Sequence, residues 1–330
     1  MQSVGIHPFH LTGPAANLHV HSGSDSALRW MGILVMLAIG LVSGLLWSFV
    51  ERGHASGDLL GWLRLVVRIT LAVALLRYGF IKVFPIQFPT PPLAVLNEPV
   101  GDASPTMLLW SLYGIRPGFV MFLGWTEVIA GLALFFRRTA LLGSILAVIV
   151  MANVALLDVT FNVPVKLYSL SLLVMGVVLL TPEFGSFLNF FFTGRAVIAG
   201  QSWSPVALGV ATQRLLLSIE LLVMILACWQ FTSGTYAVWN MKRRTSRNPS
   251  SFTGGWRLQS GGRGLVGADG SHIVSIFFES NTDTYFRAAS GTLSRSRAIY
   301  DRAHQRIRIL YEVRGMLMFA VDSSTRTTSS

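Results

Sequence analysis

The sequence has a single cysteine, Cys228, in 330 residues. One thiol forms neither an internal disulfide nor a CxxC pair, so dithiol chemistry within the chain is excluded. Set in an apolar segment, Cys228 reads as a small buried hydrophobe. Charge is scarce too: Asp, Glu, Lys and Arg make up 12% of the chain, against about 25% in an ordinary soluble domain. With 52% hydrophobic residues and a mean hydropathy of +0.57, most of the chain belongs in lipid. The sequence carries no P-loop, nicotinamide or flavin fingerprint, haem-ligand pair or metal-ligand cluster. Any redox chemistry must therefore come from a partner or a bound cofactor. His7, His10, His19 and His21 lack Cys or acidic companions at a zinc-site spacing, and His272 and His304 are isolated. Residues 1–29 read as a polar, disordered leader. No small-residue cleavage site follows the first apolar run, whose end is Leu46-Trp47-Ser48-Phe49-Val50-Glu51-Arg52, so residues 30–50 read as a retained first span.

What is present is a series of apolar runs of membrane-crossing length. A span needs about 20 apolar residues at a rise of 1.5 Å each. The second runs from about Leu65 to Phe84, the third from Phe119 to Phe136, the fourth from Thr139 to Leu157, and the fifth from Leu167 to Leu180. Thr181-Pro182 stops the fifth, an aromatic interfacial stretch around Phe187 to Phe192 follows, and the sixth covers about Leu215 to Phe231. Between spans two and three lies a proline-rich connection with Pro85, Pro89, Pro91, Pro92 and Pro99, which keeps the chain extended. Its end, Met107 to Tyr113, is a short amphipathic piece.

Charge segregates along the chain. Residues 241–330 hold 14 Lys/Arg against 6 Asp/Glu, most of the net +11. No nucleic-acid motif accompanies this basic tail, and its tether to a bilayer makes anionic lipid headgroups its expected partner. Ile307, Ile309, Tyr311 and Val313 alternate with Arg306, Arg308 and Glu312, and Arg314-Gly315 separates them from Met316 to Val321, the pattern of a hairpin. His272 to Phe278 and Thr284 to Arg287 add further strands, so residues 241–322 are expected to form a small β-rich domain outside the membrane, ending in a frayed tail at 323–330.

Ionised side chains within spans cost about 2.5 to 3.5 kcal/mol and face partners inside a bundle. Counted along alternating spans, Arg77 and Glu127 fall at matched depth, and an ion pair between them is the expected arrangement. Tyr78, Lys82, Asn153, Asp158, Asn162, Lys166 and Ser169 fall nearer the same rim. Together they outline either a packing clamp with rim anchors or a shallow site; Arg77, Lys82 and Lys166 exceed Glu127 and Asp158 by one charge, which suits an anionic or quinone-like ligand. Arg64 and Arg68 are expected to snorkel to the headgroups. Glu220 is expected toward the opposite face near Arg214, as a helix-end residue or a partner contact apart from this cluster.

The residues carrying a likeness are Arg77 to Phe88, Gly124-Trp125-Thr126-Glu127, Met151-Ala152-Asn153-Val154 and above all Phe161-Asn162-Val163-Pro164-Val165-Lys166-Leu167-Tyr168-Ser169. Over residues 62–183 the chain resembles the DoxX-like family (DoxX/DoxD) of bacterial integral membrane proteins. The resemblance implies an all-α four-helix transmembrane core in the inner (plasma) membrane, here with one flanking span on each side, six spans in all. The family includes a subunit of a thiosulfate:quinone oxidoreductase and members linked to oxidative-stress defence. It thus implies quinone as a cofactor, and a redox-partner subunit. It also implies a cytoplasmic Arg137-Arg138 turn, which puts the polar rim and the C-terminal domain on the external or periplasmic side. A non-enzymatic scaffold and a small-solute or proton pathway are the alternatives; the transporter-type inverted repeat is not seen.

Overall fold

The computed structural model describes residues 25, 27–50, 56–183, 192, 210–246, 254–257, 270–279, 283–291, 293–301, 306–311 and 315–320. The expected C-terminal tail at 323–330 and nearly all of the interfacial stretch at 184–209 lie outside them. The helices are α1 (Ala27–Val50), α2 (Ser56–Val83), α3 (Leu93–Leu96), α4 (Pro105–Ile115), α5 (Pro117–Phe135), α6 (Ala140–Thr160), α7 (Lys166–Leu180) and α8 (Val210–Ser246). A 3₁₀ turn, Thr181–Glu183, closes α7. The strands are β1 (Gly254–Arg257), β2 (Ile273–Phe278), β3 (Asp283–Ala288), β4 (Leu293–Asp301), β5 (Arg306–Tyr311) and β6 (Gly315–Ala320). The chain divides into two compact units, one from Met1–Gln87 with Pro117–Tyr236 and the other from Phe88–Arg116 with Ala237–Ser330.

In the first unit, α5, α6 and the stretch Ala211–Arg244 of α8 are long and apolar enough to cross a membrane. Arg29–Leu45 and α7 are shorter apolar helices, and α2 is interrupted by Arg64, Arg68, Arg77 and Lys82. The chain is therefore a membrane protein, mostly helical, and large apolar side chains such as Leu41, Phe122, Ile149, Leu222 and Trp229 face outward from it. Such a surface is stable in lipid, where hydrocarbon replaces a partner.

Four helices form the core, α2 packing on α5, α5 on α6, α6 on α7, and α7 back on α2. Lipid supplies no hydrophobic force between helices, so close packing through small residues holds them. Gly79 and Gly124 show this best: a Cβ on Gly79 would lie 2.9 Å from the Gly124 carbonyl oxygen, and one on Gly124 2.6 Å from the Val83 nitrogen. Two turns deeper, Gly131 packs on the Ala72 carbonyl in the same way. Leu71, Leu75, Val128, Leu134, Ala147, Leu172 and Leu179 fill the interior. Val223, Met224, Ala227, Cys228 and Phe231 of α8 pack against it. Cys228 is half-buried, as a small apolar side chain.

The expected leader extends too far. Helix α1 begins at Ala27, and Asp25 is ordered by its contacts with α7, as described below. The sixth helix likewise continues past the expected end at Phe231 to Ser246.

The second unit joins a small antiparallel sheet to the proline-rich connection. The six strands form a simple meander in the order β1 to β6, every neighbouring pair antiparallel. The hairpin read from the sequence is β5–β6, with Tyr311 opposite Gly315 and Ile309 opposite Leu317. Ser104 caps α4 by accepting from the Met107 amide at 3.2 Å, with Pro105 in the first turn, where its missing N–H costs nothing. The Phe88 ring meets Trp110 and Tyr113 edge-on at 5.0 and 4.8 Å. Arg287 of β3 donates to the Asn97 and Ala94 carbonyls at 2.8 and 2.9 Å, and the Ala94 amide donates to Glu279 at 3.3 Å. These bonds satisfy the backbone of α3, too short to do so alone.

Candidate functional site

Which α2 side chains enter the bundle follows from the helical repeat. Arg68, Ala72, Leu75, Gly79 and Lys82 recur at intervals of four, three, four and three residues and share one face. All five are buried. Arg77 is two residues from Gly79, on the opposite side, and is exposed. The same reading holds on α6, where Ala147, Met151, Ala155 and Asp158 are buried and Asn153, two residues past Met151, is exposed.

Glu127 consequently pairs with Lys82 and not with Arg77. The Lys82 ammonium donates to Glu127 Oε1, and both side chains are within a tenth of full burial. Side chains lean toward the start of their own helix, so Lys82 on α2 reaches along antiparallel α5 from Gly124 toward Glu127. The expected Arg77–Glu127 pair is thus corrected: depth matched the two residues, but they sit on opposite sides of α2. Arg77 instead lies over the Tyr78 ring, 5.8 Å from its centroid, and Tyr78 packs on Tyr168 of α7 with ring centres 5.3 Å apart. This cation and two phenols form a separate outward-facing group.

Asp158 completes the interior cluster. The expected fourth span stops at Leu157, but Asp158 is in the last turns of α6 and 6% exposed. It lies beside the buried Ser169 and within electrostatic reach of Lys82 and Lys166. Glu127 Oε2 and Asp158 Oδ2 are buried with no hydrogen-bond partner among the described residues. The buried set Lys82, Glu127 and Asp158 therefore has one more carboxylate than cation and two vacant acceptors. That reverses the surplus positive charge expected when Arg77 and the rim residue Lys166 are counted in. An unsatisfied buried acceptor is costly, and a donor that fills it is correspondingly favoured.

Lys166 sits at the rim above this cluster and brings in a residue the sequence reading passed over. Asp25 Oδ1 accepts from the Leu167 amide at 3.0 Å and Oδ2 from the Lys166 amide at 3.1 Å, with the Lys166 ammonium 3.4 Å away. A carboxylate here satisfies two orphan amides at the start of α7 and meets the positive end of its dipole. Lys166 also donates to Asn162 Oδ1 at 2.9 Å and the Val163 carbonyl at 3.1 Å. Asn162 has a positive φ of 53°, tolerable for Asn, and turns the Phe161-Asn162-Val163-Pro164 connection. The capping contact sets the start of α1 at the same end of the bundle as the start of α7.

A second ion pair occupies the other end. Arg68 Nη2 is 2.9 Å from Glu220 Oε2, and the side chains are 2% and 6% exposed. The snorkelling expected for Arg68 is thereby overturned, since the core face of α2 carries the guanidinium inward. Glu220 is likewise an inward-facing residue of α8, on one stripe with Val223, Ala227 and Phe231. Among the described residues no group of three or more His, Cys, Asp or Glu could hold a metal ion.

No family model matches the chain, and no solved structure matches it. Over 133 residues, 38% of this chain, it is 29% identical to the uncharacterized protein YwoB of Bacillus subtilis (strain 168), covering 79% of that protein.

Proposed function

We propose that this is a six-span, DoxX-like membrane protein in which Lys82, Glu127, Asp158 and Ser169 bind a lipid-soluble quinol as part of a quinone-linked or oxidative-stress redox system. The observation that carries the proposal is the pair of buried, partnerless carboxylate oxygens, Glu127 Oε2 and Asp158 Oδ2. A quinol presents two hydroxyl donors, whereas a quinone presents only carbonyl acceptors, for which the engaged Lys82 is the nearest cation. The cluster thus favours the reduced ligand and offers its protons an acceptor; the electrons pass to a partner subunit. In this reading α1, α2 and α7 complete the six spans, the membrane is the bacterial inner membrane, and the bundle end bearing Lys166 faces outward with the C-terminal sheet.

The same vacant acceptors and one-charge imbalance favour a proton pathway as the second reading, since a proton is the smallest donor that fits them. A non-enzymatic scaffold is the remaining alternative.

Purification in mild detergent, with mass spectrometry of bound lipids, quinones and proteins, separates the three. Quinol retained by the wild type and by Arg77→Gln, but lost from Glu127→Gln and Asp158→Asn, supports the first. Proton flux in quinone-free liposomes that disappears with the same two variants supports the second. A stable non-redox complex, with well-folded variants behaving as wild type in both assays, leaves the scaffold.

A further inference from the structure

The Arg68–Glu220 pair does not close the charge balance at its end of the bundle. Arg137, in the turn between α5 and α6, is near enough to Arg68 to act on it electrostatically, so a second guanidinium group adds to the Arg68–Glu220 pair without a carboxylate of its own among the described residues. Three guanidinium nitrogens, Arg68 Nη1 with Arg137 Nε and Nη2, are buried with no hydrogen-bond partner among the described residues. So is Glu220 Oε1. Arg68 is 1% exposed, whereas Arg137 is half-buried, so the cluster opens outward along Arg137. A like-charged pair with vacant donors this deep is unfavourable unless an anion joins it.

We propose that Arg68, Arg137 and Glu220 form a binding site for a phosphate anion, separate from the Lys82–Glu127–Asp158 cluster and independent of any quinol role. Guanidinium groups from two elements match the several oxygens of a phosphate better than the two of a carboxylate. One negative charge neutralises the excess. Glu220 Oε1 accepts from a hydroxyl carried by the same ligand, as in the glycerol of phosphatidylglycerol. The turn carrying Arg137 lies at the end of two membrane-crossing helices, the level at which lipid phosphates sit. The ligand chemistry is therefore a phosphate that also carries a hydroxyl, from a lipid headgroup or from solution.

The test uses the full chain in mild detergent, with native mass spectrometry after exposure to phosphatidylglycerol or phosphatidylcholine, and thermal unfolding with and without inorganic phosphate. The wild type should retain phosphatidylglycerol over phosphatidylcholine. Arg137→Gln should weaken that retention roughly tenfold, the loss expected for one charge-assisted hydrogen bond. Because Arg137 has no ion pair among the described residues and its charge opposes that of Arg68, its variant should unfold no lower than the wild type in the absence of added anion. Stabilisation of the wild type, but not of Arg137→Gln, by inorganic phosphate without lipid preference would support the site and identify its source as free phosphate. Equal retention by wild type and Arg137→Gln, with no response of either to phosphate, would overturn the proposal.

Discussion

Lys82 follows Gly79 by three residues and Glu127 follows Gly124 by three, and their ion pair sits beside the point where these two glycines let α2 and α5 touch. Removing one partner of such a pair strands a buried charge, at a cost of about 3 to 5 kcal/mol, whereas removing both together costs far less. Lys82→Met and Glu127→Leu should each lower the stability of the bundle by that order, and the double variant should recover most of the loss. Equilibrium unfolding in mixed detergent micelles measures this; additive losses in the double variant would show that the pair does not act as a unit.

Gly124→Ala tests the close approach itself. The added methyl would meet the Val83 nitrogen at 2.6 Å and the Gly79 carbonyl oxygen at 2.7 Å, both backbone atoms that cannot swing aside. Overpacking of this kind costs about 1 to 3 kcal/mol. Ala at Gly118, where nothing lies within 4 Å, is the control and should unfold as the wild type does.

Asp25→Ala should loosen the beginning of α7. Loss of a capping side chain costs about 0.5 to 2 kcal/mol, here confined to the first turn. Hydrogen exchange should therefore accelerate at the Lys166 and Leu167 amides and leave the middle of α7 unchanged. Asp25→Asn, which keeps an acceptor, should restore part of the protection.

Arg287→Ala should free the proline-rich connection from the sheet, because Asn97 and Ala94 lose their side-chain donor. Limited proteolysis should then cut within residues 88–116 several times faster than in the wild type.

The three long apolar helices α5, α6 and α8 were legible because apolar length alone marks a membrane helix, and the β5–β6 hairpin because alternation and Arg314-Gly315 mark a turn. The site was half legible. Glu127, Lys82, Asp158 and Ser169 could be named as polar residues in apolar helices, but depth was matched without the angle around each helix. The repeat that carries Arg68, Ala72, Gly79 and Lys82 to one face, and leaves Arg77 and Asn153 off it, was present in the sequence. That repeat would have found the Arg68–Glu220 pair. Asp25 gave no comparable signal, because its partners are backbone amides more than a hundred residues away.

The unit containing the sheet is assembled from two pieces of chain, Phe88–Arg116 and Ala237–Ser330, with Pro117–Tyr236 made in between. On the ribosome, the first piece must wait while four further helices, α5 to α8, are synthesised before Glu279 and Arg287 exist to receive it. Its prolines bear on that delay: without N–H donors, they disfavour pairing of the waiting segment into a sheet. A truncation before β2 would leave this intermediate as the end product, a target for quality-control proteases even where every helix has inserted correctly.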